Sequence, residues 1–540
     1  MTPVSVLRFV PILALLALAA CGKRETAVAS GNRTQTLHYG NLSEPTDLDP
    51  HVITSMQDFY IVMTLFEGLT NYHPQTSLPE PGVAERWGSS PDGLAWTFHL
   101  RADARWSNGA PVTAHDFVYA AQRILSPGLG AEYAYMLFVL RGAEAFLKGE
   151  LREFGQVGVH ALDDRTLRYD LVNPVPNFPH IVSHSSFYPV PRATIEKFGG
   201  IDRRGSPWTR PANLVGNGAF TLQEWKPNQI IRIARSETYW DHEHVRLREV
   251  NFYPIESVAT EEAAFRSGQL HLTAQVPPDK IAVYKRDRPE ALQQEPQFAT
   301  YFFRFNVNKP PLNDARVRRA LALAIDRNAI VTNVTKGGQT PAYSFTPPST
   351  PGYELPPLFR EDLAEARRLL AEAGFPDGRG FPRIEILYNT TETHRLIAEA
   401  IQQMWRKNLG VDIGLFNQEA KVWHDTMRER NYTIARYAWS GDFLDPDSFL
   451  KIMTSDSGNN MTGWANADFD RLVAAARNTA DPVARNARYR EAEELLIHEM
   501  PIAPIYFYTR NQLRLPSVKG WYPNLLAIHP LNRVWLEEEK

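Results

Sequence analysis

Hydrophobic residues in the C-terminal half of the chain alternate between two periods. Short apolar runs at 384–388, 411–415 and 432–438 have the length and composition of strands. The segments between them, 391–408 and 420–430, carry apolar residues at helical spacing, and Gly410 is placed to end the first. Because β and α units of this length alternate, we expect an α/β fold with a parallel sheet and helices on its faces.

The N-terminal half has shorter elements joined by turn residues. Asp92-Gly93 predicts a hairpin turn before a strand at 96–100, whose apolar and polar residues alternate. Thr113, with Asp116 three residues later, predicts the capping box of a helix. This region is therefore expected to be a small mixed α/β unit.

The first 21 residues differ from the rest of the chain. Arg8 precedes an apolar run of about twelve residues, too short for a bilayer span that needs roughly twenty. Leu18-Ala-Ala-Cys21 resembles the lipobox of bacterial lipoproteins. Residues 1–21 are thus predicted to be a lipoprotein signal peptide with lipidation at Cys21, the alternative being a plain secretory signal. The small, polar residues 22–34 are predicted to be a tether.

Composition and the absence of enzyme motifs argue against several classes of function. A chain of 540 residues is too long for one core, and its formal net charge of -3 without a basic run does not indicate a nucleic-acid binder. The sequence contains no Gly-x-Ser-x-Gly elbow, Walker loop or His-Glu-x-x-His motif, which favours binding over catalysis. The cluster Asp241-His-Glu-His244 is interpreted as a solvated loop, so neither a metal nor another cofactor is expected.

Three stretches carry a resemblance to a known family, at 83–119, 217–228 and 306–327. Together they resemble the family 5 extracellular solute-binding proteins, which include the oligopeptide- and dipeptide-binding receptors of ABC importers. The resemblance implies a two-lobed periplasmic binding protein of type II, cluster C-like, with an additional small mixed α/β domain. Lobe I would comprise 35–57, 186–299 and 509–540, the accessory domain 58–185, and lobe II 300–508.

The same resemblance implies partners and a location. We expect a lipid-anchored, monomeric protein in the periplasm, or on the outer face of the cell membrane where no outer membrane exists. It would trap oligopeptides between its lobes and deliver them to an ABC permease and ATPase complex. Contact with the membrane would be through the lipid anchor alone, and nucleic acid is not an expected partner.

One acid stands just beyond a predicted strand. Asp442 follows the run at 432–438, where a buried acid needs hydrogen bonds or a cation, and ligands gather beyond such strand ends. By itself this residue could equally cap a turn or pair with a lysine. In peptide-binding members the matching segment, here Trp439 to Asp442, lies in the cleft, and the resemblance implies that Asp442 binds the peptide's α-ammonium group. Trp439 would stack on the peptide backbone or belong to the core.

Two residues are candidates for the other end of the peptide. Arg436 lies six residues before Asp442 on the same face, about 20 Å away in an extended strand. His394 opens a predicted helix, where its charge and the helix N-terminus would favour a carboxylate. The resemblance places both near positions that bind the C-terminal carboxylate, while a further basic position falls on Met427. The alternatives are a structural ion pair for Arg436 and a surface histidine for His394.

An extended peptide can also add to exposed strand edges. The candidates are Glu44–Thr46, weakened by the missing donor of Pro45, and Ala438–Gly441. Tyr508 matches a cleft tyrosine of the family, and Tyr133 or Tyr135 is expected on the accessory-domain side.

Two other classes of function stay open at this stage. One is a receptor for a murein peptide, a glutathione-like molecule or another ligand such as nickel, haem or an oligosaccharide. Asp442 argues against the metal and sugar versions, because they need no such carboxylate. The other is a periplasmic hydrolase.

Overall fold

The computed structural model describes residues 25–348, 350–441 and 443–538. The predictions for the signal peptide at 1–21, for Cys21, for tether residues 22–24 and for Asp442 lie outside the described residues. No helix in the described ranges is both long enough and apolar enough to span a bilayer.

The described strands are numbered in chain order: β1 Thr36–Gly40, β2 Thr70–Tyr72, β3 Pro79–Pro81, β4 Ala84–Ser89, β5 Ala95–Leu100, β6 Val159–Asp163, β7 Thr166–Asp170, β8 Phe220–Lys226, β9 Ile230–Arg235, β10 Glu249–Tyr253, β11 Leu292–Phe305, β12 Thr340–Pro341, β13 Ile384–Asn389, β14 Ile413–Gln418, β15 Ile434–Ser440, β16 Ile502–Leu513, β17 Val518–Lys519 and β18 Trp535–Leu536. The α-helices lie at Ala27–Thr34, Met56–Leu65, Ala114–Ile124, Ala143–Leu147, Phe178–Ile181, Arg192–Lys197, Val258–Arg266, Pro278–Asp287, Ala315–Leu323, Arg327–Ala329, Leu363–Glu372, Glu392–Leu409, Ala420–Arg428, Asp447–Leu450, Ala467–Arg477 and Pro482–Glu499.

The largest sheet has the order β12-β16-β11-β15-β13-β14. β13 runs parallel to both β14 and β15, which confirms the predicted βαβ units. β11 is antiparallel to its neighbours β15 and β16, so the sheet as a whole is mixed rather than parallel. Tyr301 and Phe303 of β11 belong to one core cluster and Phe302 to another, because alternate residues of a strand point to opposite faces.

Two four-stranded sheets build the remaining body. One has the order β1-β10-β9-β8 and the other β4-β5-β7-β6. Leu37 of β1 and Phe98 of β5 belong to the same buried cluster, so the predicted accessory domain shares one continuous core with lobe I. The predicted domain limits stay predictions. Two of them, between residues 299 and 300 and between 508 and 509, fall inside β11 and β16, which pair with each other and run from lobe I into lobe II.

Local sequence signals form as predicted at several helix ends. Thr113 and Asp116 make the capping box of Ala114–Ile124. The helix Glu392–Leu409 starts after its cap Thr391 and ends at Gly410, whose φ of 69° is the left-handed conformation that glycine adopts readily.

The predicted tether is wrong for residues 27–34, which form a helix. The Thr26 hydroxyl caps it by accepting a hydrogen bond from the Ala29 N–H at 3.1 Å. The Val28 N–H donates to Gly268 O, and the buried Asn32 contacts the His271 ring at 3.1 Å. These contacts with distant residues hold a polar segment whose composition alone suggested no structure.

Candidate functional site

β15 and the residue after it carry four of the predicted site residues, namely Arg436, Ala438, Trp439 and Gly441. β11 pairs with the whole of β15, but on the other side β13 reaches only Ile434 and Ala435. Among the described strands, residues 436–440 therefore have one edge without a partner strand. This is the type of edge predicted for Ala438–Gly441, and its use by a peptide stays a prediction.

A cavity of about 260 Å³ lies at the end of β15 and is called cavity A here. Its walls come from within residues 53–60, from Tyr72, Tyr133, His184 and Ser185, and from 297–299, 440–441 and 525–528. The chain thus brings lobe I, the accessory domain and the crossing strand β11 to one place. Tyr133 is on this wall, with its ring centroid 5.0 Å from that of His184, and its contact with a ligand stays a prediction.

Backbone hydrogen bonds fix one wall of cavity A. The Gly441 N–H donates to Phe298 O at 2.9 Å, and the Phe298 N–H donates to Leu525 O at 2.8 Å. A Cβ atom at Gly441 would overlap the Phe298 ring, so the close approach requires glycine. The pairing of β11 with β16 is irregular between Pro296 and Thr300, and this bulge presents Gln297, Phe298 and Ala299 to the cavity.

A larger cavity of about 740 Å³, cavity B, lies next to cavity A and shares Met56, Tyr60 and Gln297 with it. One side is formed by residues 39–41 and 274–281 of lobe I, and the other by residues 334–339 and 391–396 of lobe II. Residues 506–511 of the crossing strand β16 complete the lining. The two cavities therefore follow one cleft between the lobes.

Three predicted residues meet at cavity B. Tyr508 and His394 line it. Arg436 donates hydrogen bonds to the Tyr508 hydroxyl at 3.1 Å and to Asn389 Oδ1 at 3.0 Å, and its guanidinium lies 4.9 Å from the centre of the Tyr301 ring. Arg436 is half-buried and forms no ion pair with a carboxylate within the described ranges, so the structural ion pair considered for it is not found there. An arginine keeps its charge in proteins, which leaves this one suited to a carboxylate ligand.

His394 differs from expectation in its charge. Burial, together with the positive charge of Arg436, lowers the pKa of His394 to about 3. The ligand-free side chain is therefore neutral near pH 7. Its predicted role at a ligand carboxylate stays a prediction. Its Nδ1 atom lies 3.5 Å from the Tyr301 hydroxyl, and it can still serve a ligand through hydrogen bonds.

The acids that follow Asp442 already have partners. Asp445 is buried and accepts hydrogen bonds from both terminal nitrogens of Arg485, at 2.6 and 2.8 Å. Asp447 accepts from the Tyr489 hydroxyl at 2.8 Å. Both are structural acids, whereas Asp442 lies outside the described residues and its role stays a prediction.

Two other candidates have structural contacts. The Trp439 indole donates to Ser448 O at 2.7 Å, and its half-buried ring packs on a core cluster of lobe II. The Glu44 carboxylate accepts from the Trp225 indole at 2.6 Å and from the Asn228 N–H at 2.9 Å, which ties it to β8 and to the turn that follows β8. The predicted edge strand at Glu44–Thr46 is wrong, because the Thr46 N–H donates to Asp58 and no strand forms there.

Sequence reasoning missed residues on both cavity walls. Gln297 and Phe298 reach cavity A through the bulge in β11, and residues 525–528 reach it from near the C-terminus. Arg510 lines cavity B and donates to the Tyr60 hydroxyl at 2.7 Å and to Ala527 O at 3.2 Å. No local motif marks these residues, because the fold alone brings the segments together.

Comparison with known proteins adds independent information. Residues 79–461 match the family described as bacterial extracellular solute-binding proteins, family 5 middle. The chain is 38% identical to the periplasmic oligopeptide-binding protein OppA of Salmonella typhimurium, over 93% of this chain and 92% of that protein. It is 36% identical to the periplasmic murein peptide-binding protein MppA of Escherichia coli, over 88% of each chain.

Solved structures agree with the fold. The unliganded open form of the murein tripeptide-binding protein MppA has a TM-score of 0.82 at 36% identity, covering 93% of this chain and 97% of that one. The Haemophilus influenzae OppA complex with the peptide RPPGFSPFR has a TM-score of 0.74 at 34% identity, covering 93% and 99%.

Proposed function

Because this chain belongs to the bacterial extracellular solute-binding proteins of family 5, we propose that it captures oligopeptides between its lobes and delivers them to an ABC importer. The relatives are named as binding proteins, and the cleft has the form that a binding function needs. The proposal includes no chemical step. A peptide would be held by what all peptides share, namely the two termini and the backbone.

The observation that carries this proposal is the pair of neighbouring cavities in one cleft between the lobes, with cavity A at the end of β15. The peptide ammonium would bind Asp442 next to Gly441 and cavity A. The backbone would lie along the free edge of 436–440, and Tyr133 would contact it from the accessory domain. The C-terminal carboxylate would meet Arg436, Tyr508 and His394 beside cavity B.

Closure of the lobes would enclose the ligand. The higher TM-score with an unliganded open form than with a peptide complex supports an open arrangement here. β11 and β16 cross between the lobes, and the irregular register between Pro296 and Thr300 is a place where these strands could bend. A closed, loaded form would be the one that the permease recognises.

Calorimetry with free and N-acetylated peptides tests the ammonium anchor. Acetylation should weaken binding strongly, and Asp442→Ala should cost about 2–5 kcal/mol of affinity because an ammonium would lose its charged partner. Circular dichroism should show an unchanged fold. Equal affinity for both peptides, or a loss in Asp442→Ala below about tenfold, would refute the anchor. Mass spectrometry of copurified ligands identifies the natural peptides directly.

The lipid anchor is a second part of the proposal and rests on Cys21 in its lipobox-like context. The mature protein would be held on the periplasmic side of a membrane as a monomer. Replacement of Cys21 by serine should release the protein from the membrane fraction into the soluble fraction. Retention of the variant in the membrane fraction would contradict the assignment.

A murein peptide is the second candidate ligand, favoured by the likeness to MppA in sequence and structure. Met427, where the family resemblance implies a further basic position, is fully buried in a core cluster here and offers no charge to an additional ligand carboxylate. Competition between a murein tripeptide and ordinary peptides of the same length distinguishes the two. Tighter binding of the murein tripeptide would replace the oligopeptide assignment.

A further inference from the structure

We propose that the face of lobe I around helix Ala27–Thr34 is held close to the membrane surface, so that one fixed side of the protein faces the lipid headgroups. The inference deepens the proposed function and rests on its lipid anchor at Cys21. It concerns how the body of the protein is oriented, not what the cleft binds. The lipid remains the only group that enters the bilayer.

Helix Ala27–Thr34 is packed into the body of lobe I. Val28 is buried in one apolar cluster with Tyr284. Gly31 is also buried, and a Cβ atom there would overlap the carbonyl oxygen of Thr36. The helix therefore lies tightly against the residues that follow it, and it cannot act as a flexible tether while these contacts hold.

The residues at both ends of this helix have partners too. Glu25 forms an ion pair with Arg33 at 3.0 Å. The Gln35 side chain exchanges two hydrogen bonds with the Leu536 backbone, donating to the carbonyl oxygen at 2.7 Å and accepting from the N–H at 3.0 Å. The chain is therefore held against the body from Glu25 onward.

The docked helix limits how far the body can move from a lipid at Cys21. An extended chain advances about 3.5 Å per residue, so the segment from Cys21 to Glu25 spans at most about 14 Å. If residues 22–34 were a free tether, as their composition suggests, the segment from Cys21 to Gln35 could span about 50 Å. Docking thus shortens the possible reach about threefold, which keeps the surface beside Glu25 next to the membrane.

This surface is called the anchor face here and consists of helix Ala27–Thr34, the turn at 266–269 and helix Pro278–Asp287. The turn is joined to the first helix by the hydrogen bond from the Val28 N–H to Gly268 O, and the second helix by the shared apolar cluster. Charged residues on or next to this face are the bases Lys23, Arg24, Lys280, Lys285 and Arg286 and the acids Asp279 and Asp287. The excess of bases allows close approach to anionic headgroups.

The anchor face borders the cleft. Helix Pro278–Asp287 belongs to this face, and its residues Pro278 and Ile281 also line cavity B. The anchored side of lobe I is thus the side next to the ligand site, and lobe II is the part left free to move. A short anchor would therefore hold the cleft at a nearly constant height above the membrane.

Lysine labelling on vesicles tests this orientation. The protein is expressed from its full sequence, purified from membranes and reconstituted in vesicles of phosphatidylethanolamine and phosphatidylglycerol. An amine-reactive polymer wider than the reach of the docked tether is added, and mass spectrometry follows each lysine. The exposed Lys280 and Lys285 should react at least about threefold more slowly than in a variant with a flexible insert of about twelve glycine and serine residues after Arg24. Lys197 and Lys407, exposed on other helices, should react equally in both proteins.

Variants at Val28 assign the effect to the docked helix. Val28→Asp puts a charge into the buried cluster and should release the helix, so that Lys285 reacts as it does in the insertion variant. Ala29→Asp adds the same charge at the exposed neighbouring position and should keep the protection. The insertion variant leaves every packed residue in place, so it decides the question even if Val28→Asp does not fold.

The outcomes separate this inference from the proposed lipid anchor. If the N-terminal peptide carries a lipid but Lys280 and Lys285 react equally with and without the insert, the fixed orientation is refuted and the anchor stands. Equal protection of Lys197 and Lys407 would show general shielding by the vesicle and would also refute it. If Cys21 carries no lipid, both the anchor and the orientation fail, while the peptide receptor is untouched.

Discussion

Replacing Arg436 by methionine tests the carboxyl end of the proposed site. The guanidinium is held by Asn389 and Tyr508 and lies over Tyr301, but has no carboxylate partner among the residues described in the structure. Methionine keeps an unbranched stem of similar reach and removes every donor. If Arg436 binds the ligand carboxylate, the variant should therefore lose only the part of the binding energy that depends on that carboxylate.

The magnitude follows from the type of bond. A hydrogen bond to a charged group contributes about 1.5–3 kcal/mol, which corresponds to about 10- to 150-fold in Kd. The variant should be only slightly less stable than the wild type. Two hydrogen bonds and one cation–π contact are lost, but a half-buried charge without a counter-ion is removed as well, so the unfolding free energy should change by less than about 2 kcal/mol.

The assay is a double-mutant cycle between protein and ligand. Peptides in a series of lengths, each as free acid and as C-terminal amide, are titrated into the wild type and the variant by calorimetry. Amidation should weaken binding to the wild type by about 1.5–3 kcal/mol for the best length, and by less than about 0.5 kcal/mol in the variant. The control is Arg395→Met on the same helix as His394, because Arg395 pairs with Glu392 and Glu399.

A small coupling energy would refute the reasoning. If Arg436→Met weakens acid and amide peptides equally at every length, Arg436 supports the shape of the site and does not touch the carboxylate. If Arg395→Met gives the same coupling, general electrostatic attraction explains the effect and no specific contact is needed.

Two further predictions concern the fold around the cleft. Burial lowers the pKa of His180 to about 4, so the unfolded chain takes up a proton between about pH 6.5 and pH 4 that the native state does not, and stability falls as the pH falls. His180→Phe should therefore recover about 2 kcal/mol of unfolding free energy at about pH 5 relative to pH 7.5, as measured by thermal melts. The control is the same change at the exposed His115. A variant with the pH dependence of the wild type would contradict the prediction. Gly441→Ala places a methyl group against the Phe298 ring and should lower the unfolding free energy by about 1–3 kcal/mol. It should also weaken peptide binding. A variant that melts and binds like the wild type would show that this wall is not tightly packed.

The sequence predicts the parts of the site that depend on local pattern. A helix cap at Thr391 fixes the start of Glu392–Leu409 and with it the place of His394. The strand at 434–440 sets the spacing between Arg436 and Gly441. Both follow from short-range rules of capping and alternation. The family resemblance implies roles for these residues that spacing alone leaves open, and those roles stay predictions.

The remaining features depend on pairing between distant segments. The bulge at Gln297–Ala299 exists because β11 pairs on both sides and its register with β16 shifts there. Composition could not predict this, nor the approach of residues 525–528 to the end of β15. The lowered pKa of His394 does not follow from local pattern either, because it depends on burial and on Arg436, a residue 42 positions away.

The two crossing strands link ligand capture to lobe movement. β11 supplies Gln297 to Ala299 to cavity A, and β16 supplies Tyr506 to Asn511 to cavity B. A peptide long enough to touch both cavities would therefore contact both strands that connect the lobes. A ligand can shift the balance between the open and closed forms only through contacts that differ between the two forms. Such differences must arise at the cavity walls that β11 and β16 supply. A shorter peptide that reaches cavity A alone would contact only one of the two crossing strands, and it should therefore favour the closed form less.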